Sequence, residues 1–289
     1  MKDKVVVKSS SGAHSGAPPG PSSITRSPHS QAHAGPAPYV RKRGQLFVVG
    51  HEKGGMGKSA LSANLAVACS ASGLDVVLID TDRSRANASW AKIRSQSTDN
   101  LVKITVIEAP TNPLLTIRDL VDRYDVTVVD LGAGDYINLP ELALVTDLLI
   151  VPTGVGREAL ESTVRVYNTM RSLNARHKNG RIPMVCVFNC VRQIPKEEAA
   201  AREELAMACP ELAIAPTTIY DRKVFRDASW VGKSVIEMPK RDSEKAAQEF
   251  TEAMGFAFTQ IGKKPREHGH NKDSGVKGRK SNTKEIEGA

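Results

Sequence analysis

The chain has 289 residues and a formal net charge of +8, a length that allows one large α/β domain or two small ones. Hydrophobic residues make up 40% of the sequence and aromatic residues 4%, so we expect a core that is mostly aliphatic. We find no apolar run of the roughly 18–20 residues that a membrane span needs, and no apolar segment after the N-terminal lysines. These features argue against a membrane protein and against a secretory signal.

The basic excess lies at the two ends of the chain. Residues 1–44 hold seven Lys/Arg and one acid, and residues 263–289 hold eight Lys/Arg and four acids. Residues 45–262 hold 25 basic and 27 acidic side chains, a net charge of −2 against +10 for the ends. The N-terminal segment is rich in Ser, Gly, Pro and His, and the C-terminal segment is polar without an amphipathic period. We therefore predict a disordered tail on each side of a folded domain at 45–262.

Within that domain, strand and helix patterns alternate. Apolar runs typical of strands occur at 45–50, 76–80, 101–107, 126–130, 148–152, 182–189 and 214–219. Strands that are apolar throughout are buried on both faces, so we predict a doubly wound, mostly parallel α/β sheet with helices on both faces. Leu61, Leu65 and Cys69 recur at helical spacing after the first strand. A second helix is predicted at 156–176, and a last one is marked by Phe250, Met254, Phe258 and Ile261.

The cysteines give no sign of a metal or disulfide framework. They are Cys69, Cys186, Cys190 and Cys209, and no two of them form a Cys-x-x-Cys pair. We expect reduced, buried thiols, as in a cytoplasmic protein.

The segment 51–60 (HEKGGMGKSA) carries the strongest chemical signal. It follows a predicted strand and opens a predicted helix, where a phosphate-binding loop is found. Glycines let several backbone N–H groups point inward, and the helix N-terminus behind them favours an anion. The glycines are Gly54, Gly55 and Gly57. Lys58 is placed to reach the β- and γ-phosphates and Ser59 to bind Mg²⁺. A flexible glycine-rich turn is the alternative. However, the loop pattern is expected by accident in only a fraction of about 10⁻⁵–10⁻⁴ of chains of this length.

The stretch KGGMGKS resembles the deviant Walker A loop of the ParA/MinD family of P-loop ATPases, especially that of the small partition proteins. In that family the lysine that matches Lys53 reaches across a nucleotide-sandwich dimer to the partner's ATP, which implies an ATP-dependent homodimer here. Family members do not need Gly at the position of Glu52. The resemblance places ATP on the residues Gly54, Gly55, Met56, Gly57, Lys58, Ser59 and Ala60. Many members have Thr at the position of Ala60, so we expect weaker nucleotide affinity.

Two acidic segments follow predicted strands at the edge where open α/β sheets bind ligands. VVLIDTD ends in Asp80 and Asp82, and VTVVDLGAGD contains Asp130. Alone, such residues are more often helix caps, but beside a phosphate loop they suit Mg²⁺ binding and hydrolysis. The resemblance makes Asp82 the catalytic aspartate of switch I and Asp130 the Walker B carboxylate. It implies that Ser59 and Asp130 are the Mg²⁺ ligands. It also implies four catalytic residues, which are Lys53, Lys58, Asp82 and Asp130. Arg83-Ser84-Arg85 replaces the family's Pro-Gln, so the loop shape and hydrolysis rate are expected to differ.

The strand MVCVFNCV ends near Asn189, where family members carry adenine contacts. The resemblance therefore implies a base contact for Asn189, and an Asx turn remains the alternative. Partition ATPases of this kind bind DNA non-specifically through basic residues of the C-terminal half. The candidates here are Arg222, Lys223 and Arg226 on or near one helix, with a second cluster at Arg171, Arg176, Lys178 and Arg181. A solvated helix face would look the same.

Together these features predict an ATPase that segregates DNA. ATP would drive dimerisation and non-specific DNA binding, and slow hydrolysis, stimulated by a centromere-binding adaptor protein, would release the DNA. We expect it in the cytoplasm, on the nucleoid and not on a membrane. The alternatives are a relative that positions a division-site, chemotaxis or microcompartment cargo, and an ATP-dependent carboxylate ligase of the same superfamily.

The basic tails are predicted to add to DNA binding. Phosphate neutralisation depends on salt with a slope of about 0.9 per contacted phosphate. Deleting both tails should therefore flatten the salt dependence, and an unchanged slope would contradict this role.

Overall fold

The structure is a computed structural model that describes residues 43–109 and 113–262. The tails predicted to be disordered lie almost wholly outside this range. The strands are β1 (Gln45–Val49), β2 (Val76–Asp80), β3 (Thr105–Glu108), β4 (Val126–Asp130), β5 (Leu148–Thr153), β6 (Met184–Val191), β7 (Ala213–Ile214) and β8 (Ile219–Tyr220). The helices are α1 (Lys58–Ala71), α2 (Ala86–Ser95), α3 (Pro113–Val121), α4 (Leu139–Ala143), α5 (Arg157–Leu173), α6 (Pro195–Ala208), α7 (Lys223–Trp230) and α8 (Lys240–Phe258). Short 3₁₀ turns lie at Ala133–Asn138, Asn174–Arg176 and Val235–Glu237.

The strands form a parallel sheet in the order β3-β2-β4-β1-β5-β6-β7, and β8 pairs with β6 outside this path. The register places Asp130 level with both Val49 on β1 and Asp80 on β2. Because parallel strands end at the same edge, the segments after β1, β2 and β4 meet there. This topology brings the predicted loop and both acidic segments into one site.

Helices cover both faces of the sheet, as the alternating pattern predicts. Side chains alternate along β1, so that Leu46 and Val48 enter one core while Phe47 and Val49 enter the other. Helices α3, α4, α5 and α6 cover the first core, and α1, α2, α7 and α8 cover the second. The predicted doubly wound α/β fold is confirmed. In the described ranges no helix is long and apolar enough to cross a membrane.

Four details of the sequence prediction were wrong. Strand β3 begins at Thr105 rather than at 101, because the Val102 carbonyl accepts hydrogen bonds from the Arg94 guanidinium instead of joining the ladder. The strand predicted at 214–219 is two short strands, since Pro216 between them has no backbone N–H to donate. The last helix ends at Phe258, so Ile261 lies beyond it. All four cysteines are free, but Cys190 is exposed rather than buried.

Candidate nucleotide-binding site

The backbone of the loop is shaped for an anion. Helix α1 begins at Lys58, and Gly57 before it has φ 73° and gives the helix no side-chain cap. Gly55 also has a positive φ of 77°. Residues with a Cβ are strained in this region, which explains glycine at both positions. The N–H groups of the first helical turn therefore face the loop without a capping side chain, as a phosphate site needs.

Lys58 brings a buried positive charge to this loop. The residue is only 7% exposed, and its ammonium donates a 3.1 Å hydrogen bond to the Lys53 carbonyl. Burial lowers the pKa of Lys58, while the charges of Asp130 and Asp82 oppose that shift. A buried cation beside unpaired backbone donors suits the phosphates of a nucleotide.

Asp130, at the end of β4, is fully buried. Its carboxylate accepts hydrogen bonds from the Asn87 amide at 2.9 Å and from the Ser62 hydroxyl at 3.4 Å. Burial is the largest cause that raises the pKa of Asp130 to about 7, and the nearby Ser59 hydroxyl acts against it. The sequence analysis missed Asn87 and Ser62, although both are polar residues on otherwise buried helix faces.

The oxygen donors at this point fit a magnesium ion. Among the described residues, no group of three or more His, Cys, Asp or Glu side chains could hold a metal ion by itself. Mg²⁺ needs few protein ligands, since it keeps several waters and binds substrate phosphates directly. One hydroxyl and one buried carboxylate, from Ser59 and Asp130, suit that mode of binding.

The segment after β2 touches the segment after β4. Asp80 accepts hydrogen bonds from the backbone N–H groups of Asn87 and Ala88 at 2.9 and 3.0 Å. It therefore caps α2, which is the structural role expected when such a residue is considered alone. Asp82 accepts a 2.8 Å hydrogen bond from the Ser84 N–H and lies against Gly132. A Cβ on Gly132 would lie 2.9 Å from the Asp82 Cα, so only glycine permits this approach.

Thr81 links the same two segments. Its hydroxyl donates to the Asp130 carbonyl at 3.2 Å and accepts from the Gly132 N–H at 3.0 Å. Thr81 therefore ties the segment that follows β2 to the segment that follows β4.

Asn189, on β6, contacts the glycine-rich loop. The residue is 5% exposed, and its side-chain amide donates to the Met56 carbonyl at 2.8 Å, so the described contact is to the loop rather than to an Asx turn. A Cβ on Gly57 would lie 2.4 Å from the Asn189 amide nitrogen and 2.7 Å from the Cys190 sulfur. The base contact expected for Asn189 stays a prediction.

Helix α5 holds the start of the loop. The His51 ring is buried, accepts a 3.0 Å hydrogen bond from the Lys53 N–H, and lies 3.3 Å from the Thr163 hydroxyl. Burial, followed by the charge of Lys58, lowers the pKa of His51 to about 4. His51 is therefore a neutral structural link between the loop and α5.

The next two residues are also tied to α5, by charge. Glu52 accepts hydrogen bonds from Arg165, one of them 2.8 Å long from Nε, and the Lys53 ammonium binds Glu158. Burial would raise the pKa of Glu52, but hydrogen bonds from Arg165 and Ser162 lower it overall. No sequence signal pairs these residues, because each partner lies more than 100 positions away.

The three predicted DNA-binding residues around α7 all pair with acidic side chains. Arg222 pairs with Glu249 at 2.5 Å, Lys223 with Asp227 at 2.7 Å and Arg226 with Asp221 at 2.6 Å. In the second cluster, Lys178 pairs with Asp147 and the Arg181 guanidinium donates to the Glu211 carbonyl, both at 2.5 Å. Within 43–109 and 113–262 we find no ion pair for Arg171 or Arg176.

Known proteins share this architecture. Residues 47–272 match the family described as the CobQ/CobB/MinD/ParA nucleotide binding domain. No curated protein matches the sequence closely enough to count as a relative.

Three solved structures illustrate the similarity, and all are under 25% identical to the chain, so they establish the fold. A Borrelia burgdorferi protein described as a plasmid partition protein, bound to AMPPNP, has a TM-score of 0.57 and 15% identity and covers 76% of this chain and 100% of its own. An ATP complex of Cyanothece McdA has a TM-score of 0.54, 15% identity and coverages of 74% and 97%. MinD from Pyrococcus horikoshii with Mg-ADP has a TM-score of 0.54, 16% identity and coverages of 73% and 95%.

Proposed function

The chain belongs to the CobQ/CobB/MinD/ParA family of nucleotide-binding proteins and is an ATPase of the ParA/MinD type, and from this premise we propose that it is an ATP-driven switch that segregates DNA. In this proposal ATP binds with its phosphates on the loop amides and Lys58. Mg²⁺ held by Ser59 and Asp130 would neutralise charge on those phosphates. Two protomers with ATP would dimerise, bind DNA and separate after hydrolysis.

The observation that carries the proposal is the difference between the two lysines of the loop. Lys58 is buried and its ammonium contacts the loop itself. The Lys53 side chain is 36% exposed and its ammonium lies at the surface, on Glu158. A lysine directed out of its own loop supports a role at a second protomer, whereas Lys58 serves the nucleotide of its own chain.

Asp82 is the proposed residue for hydrolysis. One carboxylate oxygen is fixed by the Ser84 N–H, and the Cα lies close to Gly132, two residues after Asp130. A carboxylate held near the γ-phosphate could accept a proton from the attacking water or orient it. An adaptor protein that adjusts this segment would then change the rate of release.

DNA contact is proposed for basic residues whose charge is not already matched. Arg222, Lys223 and Arg226 would have to leave acidic partners to bind phosphate, which weakens their attraction to DNA. Arg171 in the last turn of α5 and Arg176 in the 3₁₀ turn that follows need not break an ion pair within the described residues. We therefore propose the α5 end and the basic tails as the first DNA contacts, and α7 as the second.

The test is a DNA-binding titration with ATP, with ADP and without nucleotide, on the full chain and on Lys53→Ala. We expect tight, salt-sensitive binding of non-specific duplex DNA only with ATP, and loss of that binding in the variant. Lys245→Ala, which removes the same charge from the exposed face of α8, is the matched control. ATP-independent binding that Lys53→Ala leaves unchanged would contradict the proposal. Nucleotide-dependent dimers without DNA binding would favour a relative that positions another cargo.

A further inference from the structure

In the described chain, the lysine that is proposed to act on the partner is already engaged. The Lys53 ammonium binds the carboxylate of Glu158, which lies in the first turn of α5. Glu158 is 84% exposed and Lys53 is 36% exposed, so the pair sits at the protein surface. The hydrogen bond from Lys53 lowers the pKa of Glu158, so the carboxylate is charged at neutral pH.

The surroundings fix the backbone of Lys53 while leaving its side chain at the surface. The Lys53 carbonyl accepts a hydrogen bond from Lys58, and the Lys53 N–H donates to His51. Glu52 is anchored on α5 through Arg165. The contact between the Lys53 ammonium and the Glu158 carboxylate joins two side chains at the surface, so it can break while the loop backbone stays in place.

We propose that Glu158 is a positioning residue that holds Lys53 within its own protomer and thereby limits ATP-dependent dimerisation. This inference rests on the proposed function, in which Lys53 binds the partner's ATP. Lys53 must leave Glu158 to reach a second protomer. A carboxylate that stays beside the ammonium also repels the partner's polyphosphate, so both effects act in the same direction.

The size of the effect follows from symmetry. One exposed ion pair changes an equilibrium constant by about 1.4-fold to 5-fold. A symmetric dimer breaks two such pairs, so the two factors multiply. Removing Glu158 should therefore tighten the dimer by about 2-fold to 25-fold. The gain should shrink at high salt, because salt already screens an exposed pair.

The experiment measures the dimer dissociation constant by analytical ultracentrifugation with a non-hydrolysable ATP analogue and Mg²⁺. Glu158→Gln removes the charge and keeps the side-chain size. Glu161→Gln removes a charge from the same helix, where that residue pairs with Arg157 instead. We expect tighter dimers from Glu158→Gln, an unchanged constant from Glu161→Gln, and a constant close to that of the unchanged chain from Glu158→Asp.

A double-mutant cycle separates this inference from the proposed function. In the Lys53→Ala background, Glu158→Gln should lose most of its effect, whereas a general structural role would persist. If Lys53→Ala alone dimerises like the unchanged chain, the proposed function fails. If dimerisation depends on Lys53 but Glu158→Gln leaves it unchanged, the inference fails. Weaker dimers from Glu158→Gln would also overturn it, because Glu158 would then favour the dimer rather than limit it.

Discussion

His51 should make the stability of the folded chain depend on pH below neutrality. Its ring accepts a hydrogen bond from the Lys53 N–H through Nδ1, so the neutral form carries its proton on Nε2, near the Thr163 hydroxyl. Protonation of Nδ1 would place a second donor against the Lys53 N–H. The ring is also fully buried, which disfavours its charged form. Both effects keep His51 neutral in the folded state.

The magnitude follows from the shift in pKa. The pKa of His51 falls from 6.5 to about 4 on folding. Because the unfolded chain takes up the proton first, the contribution is fully present above pH 6.5 and is lost as the pH falls toward 4. The full loss is about 3 kcal/mol, of which about 2 kcal/mol should appear between pH 7 and pH 5.

The assay is equilibrium urea unfolding at pH 7 and pH 5 without nucleotide, on the unchanged chain and on His51→Asn. Asparagine keeps an acceptor for the N–H two residues later but does not titrate. Carboxylates contribute equally to both proteins, so the difference between them isolates His51. We expect that difference to change by about 2 kcal/mol in favour of the variant at pH 5. A difference that is constant across this range would refute the reasoning.

Three further predictions test the loop, the core and the chemistry. Gly57→Ala should destabilise the nucleotide-free chain by at least about 1–2 kcal/mol, since φ is 73° and the Cβ would meet the covering amide at 2.4 Å. Gly54→Ala, with nothing within 4 Å, should not, and equal urea midpoints would contradict the loop geometry. Arg94→Met should cost about 3–5 kcal/mol because it leaves the mostly buried Glu237 without a charged partner, whereas Arg157→Met at an exposed pair should change stability far less. Thermal unfolding separates them, and similar melting temperatures would be the contrary result. Asp82→Ala should retain ATP binding and slow single-turnover hydrolysis by at least about 100-fold, and an unchanged rate would remove Asp82 from the mechanism.

The fold and the backbone shape of the glycine-rich loop could be predicted from the sequence because their signals are local. Uninterrupted apolar strands report burial on both faces, and the alternation with helices reports a parallel sheet. The glycines of the loop reflect backbone geometry, which Gly55 and Gly57 confirm with positive φ values. Asp130 could be placed at the site because it ends a strand, and the register with β1 and β2 puts it beside the loop.

The pairings of side chains could not be predicted, because they join residues that are far apart in the sequence. The sequence around Lys53 does not indicate its pairing with Glu158. The sequence around Asn189 likewise does not indicate its hydrogen bond to the Met56 carbonyl of the loop. Of the three basic residues around α7, only Arg222 pairs with a distant acid, Glu249. The partners of Lys223 and Arg226, Asp227 and Asp221, stand in the same short stretch of sequence. A charge pattern shows which groups are present, whereas the fold decides how much of their charge is already neutralised.

The most direct test of the central claim mixes two inactive variants, Lys53→Ala and Lys58→Ala, and measures ATP hydrolysis. If Lys58 serves its own nucleotide and Lys53 serves the partner's, each variant alone lacks a complete site, but a mixed dimer contains one. A 1:1 mixture should then recover up to about one quarter of the unchanged activity, since half of the dimers are mixed and each has one of two sites. A mixture no more active than the two variants measured separately would contradict the claim.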